Sequence, residues 1–279
     1  MVGSFLRTGS RCAGLGRISV NEEERNRLAD LVYPIILEAR SAVLKVYRSG
    51  SFDTQEKSDH SPVTAADRAS HQILTAGLSG VFPDIPVISE EAQESPLPLG
   101  DRERFWLVDP LDGTKEFVRQ SGEFTINVGL VDRSGRPLWG LVDVPLSGAT
   151  YVGGGGGAFR RDASGDTRLG PLQPAVPGQD AVVALSRSHQ GAADDWLREH
   201  HVKVRRLVYS GSAVKFCWTA EGRVDLYVRL LPTMGWDTAA GQAIVESVGG
   251  HVHTMDGVPL TYEPAARKNP HFVAARPGF

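Results

Sequence analysis

Apolar side chains in "NEEERNRLADLVYPIILEARSAVLKVY" recur at Leu28, Leu31, Val32, Ile35, Ala39, Val43 and Val46, the spacing of one face of a long helix. Asn21 and Glu24 make a capping-box pattern at its start, and Pro34 removes one N–H from its ladder, which predicts a kink. A second helix is expected after Thr64 as N-cap, with Asp67 three residues on and Ile73, Leu74 and Leu78 along one face. The period then changes. "IPVIS" reads as a short strand ending against Glu90 and Glu91, while "RFWLVD", "FTINVGLVD", "LWGLVDV" and "ATYVG", separated by "RSGRP" and "PLSG", read as a run of antiparallel strands. Beyond a run of five glycines, "AVVALS", a helix through "SAVKFCWTAEG", "VDLYVRL", the helix "DTAAGQAIVESVGG" and "HFVAAR" alternate strand with helix. The fold class is therefore α/β: a tail over 1–20, an α+β half with an antiparallel sheet over 21–157, and an α/β half over 158–279.

The glycines from Gly153 to Gly157 resemble a phosphate loop only superficially. Such a loop must open a helix, whereas "AFRRD" after them reads as another strand, so a tight turn or hinge is expected. Composition narrows the possibilities further. A chain of 279 residues with 41% hydrophobic content can bury a large core in one or two domains. Its formal net charge of -3 supplies no basic field for nucleic acid, so a small ligand caught locally is the expected partner. Cys12 and Cys217 are far apart and suit a reducing compartment, and no apolar run approaches the roughly 20 residues of a membrane-spanning helix. Arg7, Arg11 and Arg17 lie in an acid-free opening stretch faintly like a transit peptide, but it is read as a tail and the chain as cytoplasmic.

Chemistry concentrates in "DPLDGTKEF". Pro110 cannot donate to a ladder and favours a turn, which lets Asp109, Asp112 and the Leu111 carbonyl converge instead of facing opposite sides. Gly113 leaves the backbone bare, and Thr114 adds a hydroxyl at an expected helix start. Glu90 at a strand end and Asp237 in "GWDTAAG", expected as the N-cap of the last long helix with Gly249 as its stop, can join them. Oxygen-only donors suit a hard cation such as Mg²⁺ rather than zinc. Carboxylates so gathered repel by roughly 4 kcal/mol per pair at 4 Å and an effective dielectric of about 20, so cations are needed to hold them together. His251 and His253 in "HVHT" share a strand face, but with no third ligand evident they read as strand-face histidines. Trp106, Phe124, Trp139, Phe216 and Trp218 read as packing residues, any of which could stack on a base.

Five blocks in one order, "SDHSPVTAAD", "VISEE", "DPLDGTKEF", "SGSAVKFCWTAEG" and "WDTAAG", resemble those of the inositol monophosphatase superfamily, and "DGTKEF" with "VKFC" is most similar to its 3'(2'),5'-bisphosphate nucleotidase branch. The resemblance runs from about Asn21 to Phe279. It implies a layered αβαβα sandwich and a lithium-sensitive phosphatase using two or three Mg²⁺ ions. It further implies Glu90, Asp109, the Leu111 carbonyl, Asp112 and Asp237 as metal ligands, and Asp67 with Thr114, aided by Glu90, as the groups that activate water. Amides at Gly113 and Thr114 would receive phosphate oxygens.

For substrate, the resemblance implies adenosine 3',5'-bisphosphate or its sulfated precursor, the 3'-phosphate being released during the turnover of activated sulfate. Lys215, Arg229, Ser212 and His189 match positions that contact nucleotide in that branch; Arg suits a bidentate grip on phosphate. The alternatives are an inositol monophosphatase of the same fold and a non-catalytic nucleotide or metal sensor. Monomer or homodimer, and peripheral contact with a membrane, stay open.

Overall fold

The computed structural model describes residues 19–57, 62–92, 99–187, 191–264 and 268–279. Helix α1 (Glu22–Ser49) starts where the Asn21 side chain accepts the Glu24 N–H at 2.8 Å, and it ends at Gly50 with φ +69°. Only half of the expected capping box forms, because the Glu24 carboxylate turns away to pair with Arg104. Pro34 is carried inside the helix without ending it. Leu31, expected on the buried face, is 37% exposed, whereas Leu28, Val32, Ile35, Ile36, Ala39 and Val43 are buried. The core also reaches further back than expected: Val20, assigned to the tail, is buried among the helix-layer residues. A small antiparallel ribbon, β1 (Gln55–Glu56) with β2 (Pro62–Val63), leads into α2 (Ala65–Val81).

Seven strands make the large sheet: β3 (Val87–Ser89), β4 (Arg104–Asp112), β5 (Thr125–Asp132), β6 (Pro137–Val144), β7 (Ala149–Gly154), β8 (Gly157–Asp162) and β9 (Gly165–Leu169), in spatial order equal to chain order. All neighbours from β4 onward are antiparallel, as the turn-punctuated pattern predicts, and β3 joins the edge in parallel. The glycine run is a hairpin turn, with Gly155 at φ +60° and Gly156 at φ +73° between β7 and β8. The expected boundary near Gly157 thus falls within one sheet, which continues to Leu169.

The second sheet runs β11 (Val204–Tyr209), β10 (Ala181–Leu185), β12 (Leu226–Arg229), β14 (Phe272–Ala275) and β13 (His251–Thr254). It is mixed: β10 pairs in parallel with β11 and β12, while β14 is antiparallel to β12 and β13. Short helices α3 (Thr114–Val118), α4 (Gly191–Glu199) and α5 (Val214–Ala220) and the longer α6 (Gly235–Ser247) complete the chain. Three hydrophobic clusters define the layers. One lies between α1, α2 and the large sheet; the next joins the other face of that sheet to α5, α6 and the second sheet; the last lies between the second sheet and α4. The order is helix, sheet, helix, sheet, helix.

Helix α6 is buried nearly all round because it lies between two sheets. It fits there because Gly129, Gly140 and Gly153 are paired neighbours on β5, β6 and β7 and form a bare track across the sheet. A Cβ at Gly140 would lie 2.2 Å from the Ala240 carbonyl oxygen, and one at Gly153 2.5 Å from the Ile244 Cα. Backbone meets backbone along this track, and that contact sets the height of α6 above the sheet. The helix ends in a Schellman turn: Gly250 N–H donates to the Val245 carbonyl at 3.0 Å and Gly249 N–H, at φ +88°, to Glu246 at 3.1 Å.

Candidate active site

The two aspartates of "DPLDGT" converge through a bulge rather than a turn. Strand β4 continues to Asp112, but Asp109 faces Asn127 and Asp112 faces Thr125, so three steps on β4 oppose two on β5. The extra residue removes the alternation that would have sent the carboxylates to opposite faces. Asp109 Oδ1 accepts the Leu111 N–H at 3.0 Å, and Ser70 Oγ donates to the Pro110 carbonyl at 2.8 Å, which fixes the bulge from both sides.

Glu90, just past β3, and Asp237, on the first turn of α6, meet Asp109: one carboxylate oxygen of each lies within 4.8 Å of the others. Asp237 is the third residue of α6 rather than its N-cap; Oδ2 accepts the Met234 N–H at 2.8 Å, which holds the carboxylate at the helix start. Asp109 is buried and its two partners half-buried. Burial pushes the Asp109 carboxyl well above the usual range, with Glu90, Asp112 and Asp237 adding repulsion, and Asp237 is raised in the same way. Asp112 stands beside this group and outside it. Its Oδ2 accepts Asn127 Nδ2 at 3.3 Å and Thr125 Oγ1 at 3.5 Å, and burial pushes it up to about 6 against the pull of Lys215.

Carboxylates this close, with no nitrogen or sulfur among them, stabilise a proton or a hard cation. The chain itself answers that demand in part, since Lys57 Nζ donates to Glu90 Oε1 at 2.8 Å and also pairs with Glu91. Burial opposes charge on Lys57, but the two carboxylates outweigh it and hold the ammonium protonated. The donor set therefore fits magnesium at Glu90, Asp109 and Asp237. It is the only such group among the described residues.

Beside the cluster, Thr64 and Asp67 form a true capping box that also reaches Thr114. Thr64 donates both its N–H, at 2.8 Å, and its hydroxyl, at 2.6 Å, to Asp67 Oδ2. Oδ1 is thereby left to accept the Thr114 hydroxyl at 3.1 Å, while the Leu111 carbonyl lies 3.2 Å from the same hydroxyl. Burial raises the Asp67 carboxyl, opposed by its hydrogen bonds to Thr64 and Thr114. Gly113 is required here twice over: φ is +93°, and a Cβ would meet the Glu123 carbonyl at 2.8 Å. The α3 that follows has five residues, so any grip on an anion is local to its first amides and not a long-helix dipole.

Next to the cluster opens a cleft of about 810 Å³, lined by Asp112, Gly113, Ser212, Lys215, Arg229 and Asp237 among others. Ser212, at φ +49°, has a buried Oγ without a partner, and so do Ser210 Oγ and Arg229 Nε. Arg229 reaches Ser186 Oγ and, at 3.4 Å, the Pro232 carbonyl. Lys215 lines the cleft and also has partners within the chain. Its ammonium, 2% exposed as a residue, donates to the carbonyls of Ser210, Gly211 and Ser212 at 3.0, 2.9 and 2.6 Å, so it fastens the 210–212 loop to α5. Burial lowers it to about 7 in spite of Asp112. His189 lies outside the described residues.

Sequence reasoning passed over Lys57, Glu91 and Asn127. Asn127 is a fully buried amide in the apolar strand "TINVGLV", with Oδ1 unpartnered; a lone polar residue inside such a run was the available signal. The histidine rings of β13 lie side by side, tilted, with centroids 4.7 Å apart, and join no group of three ligands among the described residues. Trp106, Phe124, Trp139 and Phe216 are buried, and Trp218 is partly buried against the core.

A carboxylate cluster at the meeting of a bulged strand and a sandwiched helix defines a class, and residues 24–272 match the inositol monophosphatase family. The chain belongs to that family. It is 41% identical over 240 residues to the 3'(2'),5'-bisphosphate nucleotidase CysQ of Shigella flexneri, covering 85% of this chain and 94% of the relative, and 39% identical over the same length to CysQ of Escherichia coli K12. The crystal structure of CysQ from Bacteroides thetaiotaomicron, a bacterial member of the inositol monophosphatase family, superposes with a TM-score of 0.76 at 33% identity, covering 90% of this chain and 97% of that one.

Proposed function

We propose that the chain is a magnesium-dependent phosphomonoesterase that removes the 3'-phosphate of adenosine 3',5'-bisphosphate, giving adenosine monophosphate and inorganic phosphate. The observation that carries this reading is the Glu90, Asp109 and Asp237 cluster beside a cleft that also holds Arg229. Its CysQ relatives bear the name of a nucleotidase for such substrates. Magnesium bound there, as two or three ions with Asp112 and the Leu111 carbonyl as further ligands, would supply the positive charge that makes a phosphoryl group attackable and water acidic.

The chain's own groups handle the proton and the phosphate. Thr114, donating to Asp67 Oδ1, presents its oxygen lone pairs to an attacking water, and Asp67 takes the proton that passes through the hydroxyl. Glu90 helps orient that water. Amides at Gly113 and Thr114 receive the phosphate oxygens, at a turn that glycine allows by taking φ +93° and packing against the Glu123 carbonyl. Arg229, supported by Ser212, reads the second phosphate, and Lys215 contributes by holding the loop that presents Ser212. His189 joins that set of substrate contacts, and the cell compartment is the cytoplasm.

The test is phosphate release from adenosine 3',5'-bisphosphate and from inositol 1-phosphate, side by side with Mg²⁺. Strong preference for the nucleotide is expected. Preference for the inositol ester would assign the chain to another activity of the same family.

A further inference from the structure

A groove with no part in the reaction above runs along the edge of the second sheet, where β10 and β11 meet the end of α5. Its volume is about 1470 Å³, and Arg187, Arg205, Arg206 and Arg223 line it together with Trp218, with no acidic residue in its wall among the described residues. On a chain of formal net charge -3, four guanidiniums gathered in one place are a local exception. We propose that this groove binds a small anion carrying two or more phosphate groups, and that its occupation is felt in the active-site cleft through Arg187.

The backbone brings the arginines together. Ala181 faces Val204 and Val182 faces Arg206, so Arg205 is an extra residue on β11 without a partner on β10. Arg205 and Arg206 are exposed, and their side chains pair with nothing among the described residues. Arg223 is already placed, its guanidinium over the Trp218 ring at 5.1 Å and Glu221 3.3 Å away. Phosphate suits such a set, because each planar fork grips two oxygens and several forks call for more than one negative charge. The extra residue also argues against an acidic partner strand laid on β11, since it breaks the even ladder that such a strand would need.

Arg187 ties the groove to the cleft, because it lines both. It donates to both oxygens of Glu123, to Oε2 at 2.7 Å, and Oε2 also accepts the Gly211 N–H at 3.0 Å, in the loop that presents Ser212. An anion in the groove competes with Glu123 for Arg187 and withdraws the cation that orients Glu123 under Gly211. The groove is independent of the substrate assigned above; its effect on turnover rests on that reading.

Calorimetric titration with inorganic triphosphate at constant free Mg²⁺ reads the groove as one equivalent of anion beyond any that the cleft takes up. In Arg205→Ser with Arg206→Ser that equivalent is expected to bind about tenfold more weakly, a loss of about 1.4 kcal/mol, while kcat and KM for adenosine 3',5'-bisphosphate without triphosphate stay at the parent values. Arg27→Ser with Arg48→Ser, which removes two exposed arginines from α1, should leave the affinity unchanged. Triphosphate should also raise KM about fivefold more in the parent than in the groove variant, whereas simple competition within the cleft would raise both equally. Equal affinity in the parent and the groove variant, or an equal loss in the α1 control, would overturn the site and leave Arg205 and Arg206 as guards of an edge strand. Weakened binding with the same KM response in both would keep the site and overturn the link. Failure of the parent to release phosphate from the nucleotide would defeat the substrate reading and not the groove, which the titration reads without turnover.

Discussion

Replacing Gly140 with alanine tests whether the glycine track positions the chemistry. The added Cβ would stand 2.2 Å from the Ala240 carbonyl oxygen and 2.7 Å from its carbon and Cα. An ordinary carbon to oxygen contact is roughly 3.3 Å, so α6 must retreat by about 1 Å. Overpacking costs about 1–3 kcal/mol and occasionally more, and the upper end applies here because both sides of the clash are backbone. At about 2–4 °C per kcal/mol for a chain near this size, a cost of about 3 kcal/mol lowers the melting temperature by roughly 6–12 °C. The same retreat carries Asp237 away from Glu90 and Asp109, whose oxygens must stay within 4.8 Å of one another to share an ion. A misplacement of about 1 Å can cost around 10²-fold in rate. Differential scanning calorimetry and phosphate release measure the two effects. Gly80→Ala in α2 is the control, since nothing lies within 4 Å of its added Cβ and its backbone is helical. A Gly140→Ala protein that melts and turns over like Gly80→Ala would refute the claim that α6 rests on the track.

Asp112→Asn should abolish phosphate release while the protein still melts cooperatively; near-normal release at saturating Mg²⁺ would remove Asp112 from the site. In chelator the same residue makes a pH signature. Its carboxyl is raised from the ordinary 3.8 to about 6 in the folded chain, so the folded state binds that proton more tightly. The resulting stabilisation is complete below about pH 4 and is lost as pH rises through about 6, so its contribution to the melting temperature in chelator should fall between about pH 4 and 6.5 and be flat above; Asp112→Asn should shrink that dependence. Thr114→Val keeps the shape and removes the hydroxyl that donates to Asp67 at 3.1 Å, and about 10²–10⁴-fold should be lost from kcat with KM little changed. Equal kcat in that variant would argue against the proton path. Lys215→Met frees three carbonyls of the 210–212 loop, so both the melting temperature and nucleotide turnover should fall; loss of turnover at an unchanged melting temperature would instead mark direct substrate contact.

Much of this architecture was legible because it depends on local patterns. Caps at Asn21 and Thr64, the change from helical to strand spacing, and the turn signals between β4 and β7 each act over a few residues. Asp67 illustrates the limit. Its place three residues after Thr64 is visible in sequence, but the division of its two oxygens between Thr64 and Thr114 arises only when α2 meets the end of β4. The convergence of Asp109 and Asp112 was expected from Pro110, and the cause is instead a register shift against β5, a property of the pair of strands. Asp237 was placed at the right helix end, but the N-cap is Met234, three residues earlier, and Asp237 caps from the third helical position. Lys215 was read by its charge. Its hold on the Ser210, Gly211 and Ser212 carbonyls comes from the way that loop folds back over α5, which no linear pattern records. The glycine track was invisible for the same reason, since its three members lie on separate strands and matter only once α6 is laid across them.

The most direct test of the central claim is phosphate release from adenosine 3',5'-bisphosphate by the chelator-treated chain before and after Mg²⁺ is restored, with Asp109→Asn in parallel. The site described here predicts no release in chelator, recovery on adding Mg²⁺, and no recovery in the variant. Release that persists in chelator, or that survives in Asp109→Asn, would contradict it.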